Sequence, residues 1–203
     1  MLADYVVLDV ETTGLSKHFC KITEIAALRV RNNKVVDKFQ SLVNPECPIP
    51  EFITHLTGID NELVKYERPI KEVLPGFIDF LGEDIMVGHN VGFDYGFINH
   101  NSEKHLEKTL LNSRLCTIKL SRRLLPDLAS RKLRSLCDYF EVTNEKEHRA
   151  MGDCVATNKI FAKMNGILHN NGIIEREDIL KFQKSKIPRI DYFQAPSSSS
   201  CTQ

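Results

Sequence analysis

DYVVLDVETTG, residues Asp4–Gly14, is the stretch that decides the fold. Its first seven residues form a β-branched run suited to a central strand. Strand alternation then places Tyr5, Val7, Asp9 and Glu11 on one face and Val6, Leu8 and Val10 on the other. Two carboxylates therefore leave the same side of a strand close to its end. The next two candidate strands, ITEIAALRVR and KVVDKFQSLV, are separated only by Asn32-Asn33, a dipeptide that accepts the positive φ angles of a tight hairpin. Three antiparallel strands in sequence are expected.

Working outward, the chain turns Pro-rich after Asn44-Pro45 and then carries short helical patterns, the clearest over Ile70–Leu81. IMVGH reads as a fourth strand and RLCTI as a fifth or its entry, with a helix between them that aligns Phe93, Phe97 and Ile98 on one stripe. Further helices are predicted around Ile118–Leu125, Lys132–Phe140 and Ala150–Met164. In the last of these, Met151, Cys154, Val155, Phe161 and Ala162 form the predicted sheet-facing stripe, with Asn158 as its polar exception. Beyond Asn170-Asn171-Gly172 the pattern weakens to a short charged helix around Glu175–Gln183, then IPRIDYF and a polar tail, APSSSSCTQ. The expected organisation is one domain over residues 1–170 and a C-terminal appendage over residues 171–203 with a Ser-rich tail.

Bulk properties restrict the classes. With 42% hydrophobic and 27% charged residues among 203, this is an ordinary globular composition, and no apolar run is long enough to cross a bilayer. The first residues lack the basic segment, apolar stretch and cleavage site of a secretory signal, so a cytoplasmic location without membrane partners is expected. The six cysteines, Cys20, Cys47, Cys116, Cys137, Cys154 and Cys201, contain no CxxC pair and suggest neither zinc nor a disulfide framework. A formal net charge of zero argues against a whole-surface grip on a nucleic-acid backbone, though not against a local basic patch.

The chemistry concentrates in three clusters. Asp9 and Glu11, at i and i+2 on a strand, would repel one another unless a cation lies between them, and oxygen-only ligands suit Mg²⁺ or Mn²⁺. Thr12-Thr13-Gly14 follows as a sharp turn expected to expose backbone N–H groups and two hydroxyls. In the second cluster, His89-Asn90-Val91-Gly92-Phe93-Asp94, a strand gives way to a helix and projects Asp94 from the sheet's carboxyl end, as a candidate third acidic ligand with His89 in support. The third, His148-Arg149-Ala150-Met151-Gly152-Asp153, opens the last long helix. Five residues of helix turn through roughly 500°, so His148 is expected on the preceding loop while Asp153 is fixed by the helix. Taken singly, each is also an ordinary feature: D-x-E a solvated strand end, Asp94 a first-turn acid, His148 a surface histidine.

Together D-x-E-T-T-G (Asp9–Gly14), H-N-x-x-F-D (His89–Asp94) and H-R-A-x-x-D (His148–Asp153) resemble the DEDD superfamily of exonucleases, in the subgroup with a histidine five positions before its final aspartate. The resemblance extends through THLTGIDNEL (Thr54–Leu63) and KLRSLCDYF (Lys132–Phe140) to cover roughly residues 4 to 167, and within the family it is greatest to the proofreading exonucleases of bacterial DNA polymerase III. It implies an α/β, RNase H-like fold with a five-stranded mixed sheet flanked by helices. It also implies Asp9, Glu11, Asp94 and Asp153 as ligands of two Mg²⁺ or Mn²⁺ ions about 3.5 to 4 Å apart, and His148 as the general base of a 3′→5′ hydrolysis releasing nucleoside 5′-monophosphates. By the same resemblance Thr12, Thr13 and Gly14 contact the terminal nucleotide, and Leu15, Leu56 and Phe93 offer it apolar surfaces. The implied partners are single-stranded DNA or RNA 3′ ends and a DNA polymerase or other replisome subunit. Three alternatives stay open: an RNA-trimming exonuclease, an interaction subunit docking through Glu175–Phe193, and a non-catalytic nucleic-acid binding module.

Overall fold

β1 (Tyr5–Thr12) lies at the centre of a five-stranded sheet, in a computed structural model that describes residues 1–187. β2 (Ile22–Arg31) and β3 (Lys34–Leu42) follow as an antiparallel meander on one side, turned at Asn32 and Asn33, whose φ angles of 50° and 60° are those of the expected tight hairpin. β4 (Met86–Gly88) and β5 (Arg114–Cys116) extend the sheet on the other side, both parallel to β1, giving the order β3-β2-β1-β4-β5. The sheet is therefore mixed, as expected.

Both faces of the sheet are covered, each by a core of its own. Val6, Leu8 and Val10 point to the face packed by α3 (Ile70–Leu81) and α4 (Val91–Leu106). Tyr5 and Val7 point to the other, covered by α5 (Thr117–Leu124), α6 (Leu133–Phe140) and α7 (Ala150–Asn170). The i, i+2 alternation read from DYVVLDV is thus the alternation of the two cores. Two shorter helices, α1 (Glu51–Thr57) and α2 (Asn61–Val64), bury Ile53 and Val64 in a small third cluster beside Leu42.

α7 differs from its expected form. It runs on past Met164 to Asn170, and its buried residues are Ala150, Cys154, Ala156, Thr157, Ile160, Phe161, Met164, Asn165 and Leu168. Val155 and Ala162 face solvent instead. The reason is tertiary: α5 and α6 pack against α7 as well as β1 and β2, so its covered arc widens towards one flank and turns the opposite flank outward. Asn158 is explained by a single contact, accepting a hydrogen bond from the Tyr5 hydroxyl at 3.1 Å.

The charged helix after Gly172 is α8 (Arg176–Phe182). Its Ile179 is fully buried in the α7-side core. Gln183, just beyond it, accepts from the Cys116 N–H at 3.1 Å and donates to the Arg114 carbonyl at 2.6 Å, so one side-chain amide completes the hydrogen bonding of the short edge strand β5. The rest of IPRIDYF and the APSSSSCTQ tail lie outside the described residues. Among the described residues no helix is long and apolar enough to cross a membrane.

Candidate active site

Asp9 and Glu11 leave the α7-side face of β1 immediately before a register irregularity at Glu11/Thr12. Asp153, in the first turn of α7, faces them, and carboxylate oxygens of Asp9, Glu11 and Asp153 lie within 4.8 Å of one another. Two of the three sequence clusters, 142 residues apart at Glu11 and Asp153, thus meet at one point. Asp94 approaches from the first turn of α4 and stands outside this group of three. Its Oδ1 accepts the Val10 N–H at 3.1 Å, which ties the start of α4 to the backbone between Asp9 and Glu11.

The electrostatics of this corner are those of anions crowded together. Burial pushes the Asp9 carboxyl well above its ordinary range, and the charges of Asp94, Glu11, Asp153 and Glu24 push it further. Glu11 rises to about 8, from burial first and then Asp153, Glu24 and Asp94. Asp94 rises to about 7 through burial, against the opposing hydrogen bond from the Val10 N–H. Asp153 is also raised by burial, while a 2.6 Å hydrogen bond from the Asn144 side-chain amide and the proximity of His148 oppose the rise. An oxygen-only donor set with this shortage of positive charge fits a hard divalent cation, which would remove the repulsion.

His148 sits where the helical rotation argument places it. It is an exposed loop residue with φ of 59°, one position before Arg149, the N-cap of α7. The loop lies directly over the first turn of α7: a Cβ on Gly152 would collide with the Lys146 carbonyl. Glycine at 152 is what lets the loop bearing His148 close down beside Asp153.

The turn after β1 behaves differently from its expected form. Thr12 and Thr13 are buried, with Thr12 Oγ1 donating to the Gly14 carbonyl at 2.6 Å and Thr13 Oγ1 accepting the Lys21 N–H at 3.0 Å. Their hydroxyls thus close the loop rather than stand free. A Cβ at Gly14 would come within 2.8 Å of Cys20 Sγ, so a larger residue there would have to displace that side chain. Leu15 is 88% exposed and Leu56, on α1, is 50% exposed. Phe93 is half-buried against Phe97, with ring centroids 4.9 Å apart. His89 turns towards the start of α5, its Nδ1 2.9 Å from Thr117 Oγ1, and burial lowers its pKa to about 4.

Glu24 is the residue that sequence reading passed over. It lies opposite Glu11 on β2 with a fully buried side chain. Arg149 grips it with a two-pronged ion pair, Nε to Oε2 and Nη2 to Oε1 at 3.0 Å each, while the Ala150 N–H donates at 3.2 Å and the Gln40 amide at 2.9 Å. Burial raises the Glu24 pKa, but these donors outweigh it and hold the carboxyl below its ordinary value. Arg149 and Ala150 are the N-cap and first residue of α7, so Glu24 anchors the helix that carries Asp153 and the loop that carries His148. The only signal in the sequence was an acid inside a mostly apolar strand, Ile22–Leu28.

Comparison with known proteins agrees with this geometry. Residues 6–161 match the RNase_T family model, described as exonuclease. A "DNA polymerase III PolC-type" protein of Caldanaerobacter subterraneus is 46% identical over 170 residues, covering 84% of this chain but 12% of the relative. A "DNA polymerase III subunit epsilon" of Aquifex aeolicus is 36% identical, covering 90% of this chain and 91% of the relative. The chain thus spans about an eighth of the PolC-type relatives and nearly all of the epsilon relative. Among solved structures, "Exonuclease X in complex with 5' overhanging duplex DNA" superposes with a TM-score of 0.69 at 25% identity, covering 88% of this chain and 99% of that one. The residues matched, the fold and the converging acids lead to one assignment: this chain belongs to the exonuclease family.

Proposed function

We propose that this chain is a divalent-cation-dependent 3′→5′ exonuclease acting on single-stranded DNA, as a proofreading subunit or domain working beside a bacterial DNA polymerase in the cytoplasm. The observation that carries the reading is the meeting of Asp9, Glu11 and Asp153 oxygens within 4.8 Å, beside an exposed histidine on a loop held over the same helix turn. Similarity to epsilon over 91% of that relative's length supports the polymerase association. Residues 1–170 form the catalytic domain and residues 171–203 a C-terminal appendage, whose described part is seated on the domain through Ile179 and Gln183.

In this mechanism Asp9, Glu11 and Asp153, with Asp94 at the margin, would hold Mg²⁺ or Mn²⁺, which when bound would supply Lewis acidity towards water and the scissile phosphate. His148, exposed on its loop, accepts the proton of the attacking water and passes it to solvent. The Glu24–Arg149 pair fixes where that loop ends and α7 begins. The Thr12–Gly14 turn and the exposed Leu15 border the place of the terminal nucleotide, with Phe93 and Leu56 as further apolar surfaces. Sugar and base contacts of this kind leave nucleobase identity unread, as removal of any terminal nucleotide demands.

The test is a 5′-labelled single-stranded DNA oligonucleotide and its RNA counterpart, each with Mg²⁺, Mn²⁺ or EDTA, alongside Asp153→Asn and His148→Ala. A ladder of stepwise products that needs the cation and disappears in both variants is expected, with DNA shortened faster than RNA. Retained binding with no shortening of either strand would overturn the reading.

A further inference from the structure

The loop of residues 15–21 is ordered yet presents its apolar side chains outward. The Thr13 N–H donates to the Lys21 carbonyl at 2.8 Å, the Cys20 and Phe19 N–H groups donate to the Ser16 carbonyl at 2.7 and 3.1 Å, and Thr13 Oγ1 accepts the Lys21 N–H. The loop is also fastened to α4: the His18 and His100 rings meet edge to face at 5.1 Å, and the Lys17 stem lies beside Gly96. A loop held this firmly nevertheless leaves Phe19 86% exposed and the neighbouring Leu15 88% exposed. Two large apolar groups left in water on one closed loop, directly after the strand that carries Asp9 and Glu11, mark a binding surface.

The charge where this loop meets α4 is mostly positive. None of Lys17, Lys21, Lys71 or Lys104 has a salt bridge among the described residues. Burial and then the charges of His18, Lys17 and Lys104 lower the pKa of His100, and His105 is lowered by burial and then by Lys104, Lys21 and Lys71. The acids that oppose this field are Glu103 and Glu46, and Glu103 already accepts hydrogen bonds from Asn99 and Thr109. A chain of zero formal net charge thus has lysines gathered where the loop that exposes Phe19 is fastened to α4. Positive side chains that follow a phosphate backbone, with an aromatic face on which a base stacks, are what a single polynucleotide strand requires.

We propose that residues 15–21 and the adjoining outer face of α4 bind the single strand upstream of the 3′ end, with Phe19 as a base-stacking platform and Lys17, Lys21 and Lys104 as phosphate contacts. This rests on the exonuclease reading and adds to it a surface that acts only on substrates long enough to reach it. A protein partner docking on the same patch is the competing occupant, and it would leave affinity for a bare strand untouched.

The test uses the full chain and a fluorescein-labelled dT12 strand in EDTA, with Phe19→Ala and a Lys17→Gln/Lys104→Gln pair compared with the wild type at several salt concentrations. Phe19→Ala is expected to weaken binding about tenfold or more. The lysine pair is expected to make the slope of log affinity against log salt shallower by about 1.4, from about 0.7 per lost phosphate contact on a single strand. With Mn²⁺ present, the same variants should lose kcat/KM on dT12 and not on a dinucleotide. Unchanged dT12 affinity and salt slope, or an equal loss on the dinucleotide, would overturn the surface while wild-type cleavage left the enzyme reading standing. A wild type that neither binds nor shortens dT12 would overturn both. All three side chains are exposed or lie on the surface field, so thermal melting should stay at the wild-type value and serves as the folding control.

Discussion

Replacing Arg149 with alanine tests whether Glu24 is the anchor of the active-site helix. The wild-type carboxylate is fully buried and takes four hydrogen bonds, two of them from the Arg149 guanidinium. Arg149→Ala leaves a buried anion with only the Gln40 amide and the Ala150 N–H, a change that typically costs about 3–5 kcal/mol. For a chain of this size each kcal/mol moves Tm by roughly 2–4 °C, so a fall of about 6–20 °C is expected. The effect should depend on pH. In the wild type the Glu24 pKa is held below its ordinary value, so its contribution is present above about pH 4.5 and is lost as pH falls. In Arg149→Ala burial dominates, the folded-state pKa moves above the unfolded one, and stability is lost as pH rises through that window. The Tm gap between the two proteins should therefore widen from pH 4.5 to pH 7.5. Adding Glu24→Gln removes the stranded charge, and the double variant should melt above Arg149→Ala. A Tm loss under about 3 °C, a gap independent of pH, or a double variant no more stable than Arg149→Ala would each refute the argument. Melting can be followed by circular dichroism in EDTA.

Three further outcomes are expected. Without a cation, Glu11 titrates at about 8 and Asp94 at about 7 against ordinary values of 4.5 and 3.8. The folded protein thus binds more protons than the unfolded chain between roughly pH 4 and pH 8, and its stability should fall as pH rises through that window. Millimolar Mn²⁺ should then raise Tm more at pH 8 than at pH 5.5, and equal gains would contradict the repulsion argument. Gly152→Ala must push the loop off the first turn of α7 because of the Lys146 carbonyl, so single-turnover cleavage should fall at least tenfold with a modest change in Tm. Gln183→Ala leaves the Cys116 N–H without its partner at a cost of about 1–3 kcal/mol, and hydrogen exchange at Cys116 should accelerate; unchanged protection there would show that α8 does not guard the edge of β5.

Much of this architecture is readable without coordinates, and the reasons are local. The period of two in β1 puts Asp9 and Glu11 on one face whatever surrounds them, because a pleated strand has no other choice. Asn32-Asn33 accepts the left-handed angles of a two-residue hairpin as a property of the dipeptide. The loop position of His148 follows from helical rotation alone. Where the reading depended on neighbours it drifted. The covered face of α7 was misplaced at Val155 and Ala162 because two helices, invisible to periodicity, widen its buried arc. The threonines after Glu11 read as free hydroxyls, whereas the Gly14 carbonyl takes that of Thr12 and the Lys21 N–H, eight residues on, takes that of Thr13.

What the sequence by itself determined is the membership of the proposed site, the acids at positions 9, 11, 94 and 153 and the histidine at 148 that the three motifs share with the family they resemble, and the local element that presents each of them. The placement of each on its strand, helix or loop follows from dihedral preferences and from periods of two or 3.6 residues, interactions that act within a few residues of chain. Only the tertiary structure decided that Asp153 reaches Asp9 and Glu11 while Asp94 stands outside that group. It alone placed Glu24 against Arg149 across 125 residues and Gln183 against β5 across 69, and turned Phe19 outward. Those pairings depend on the order of strands in the sheet and on which helix covers which face. Short-range spacing carries no record of either, because the same local patterns are compatible with several ways of packing them together.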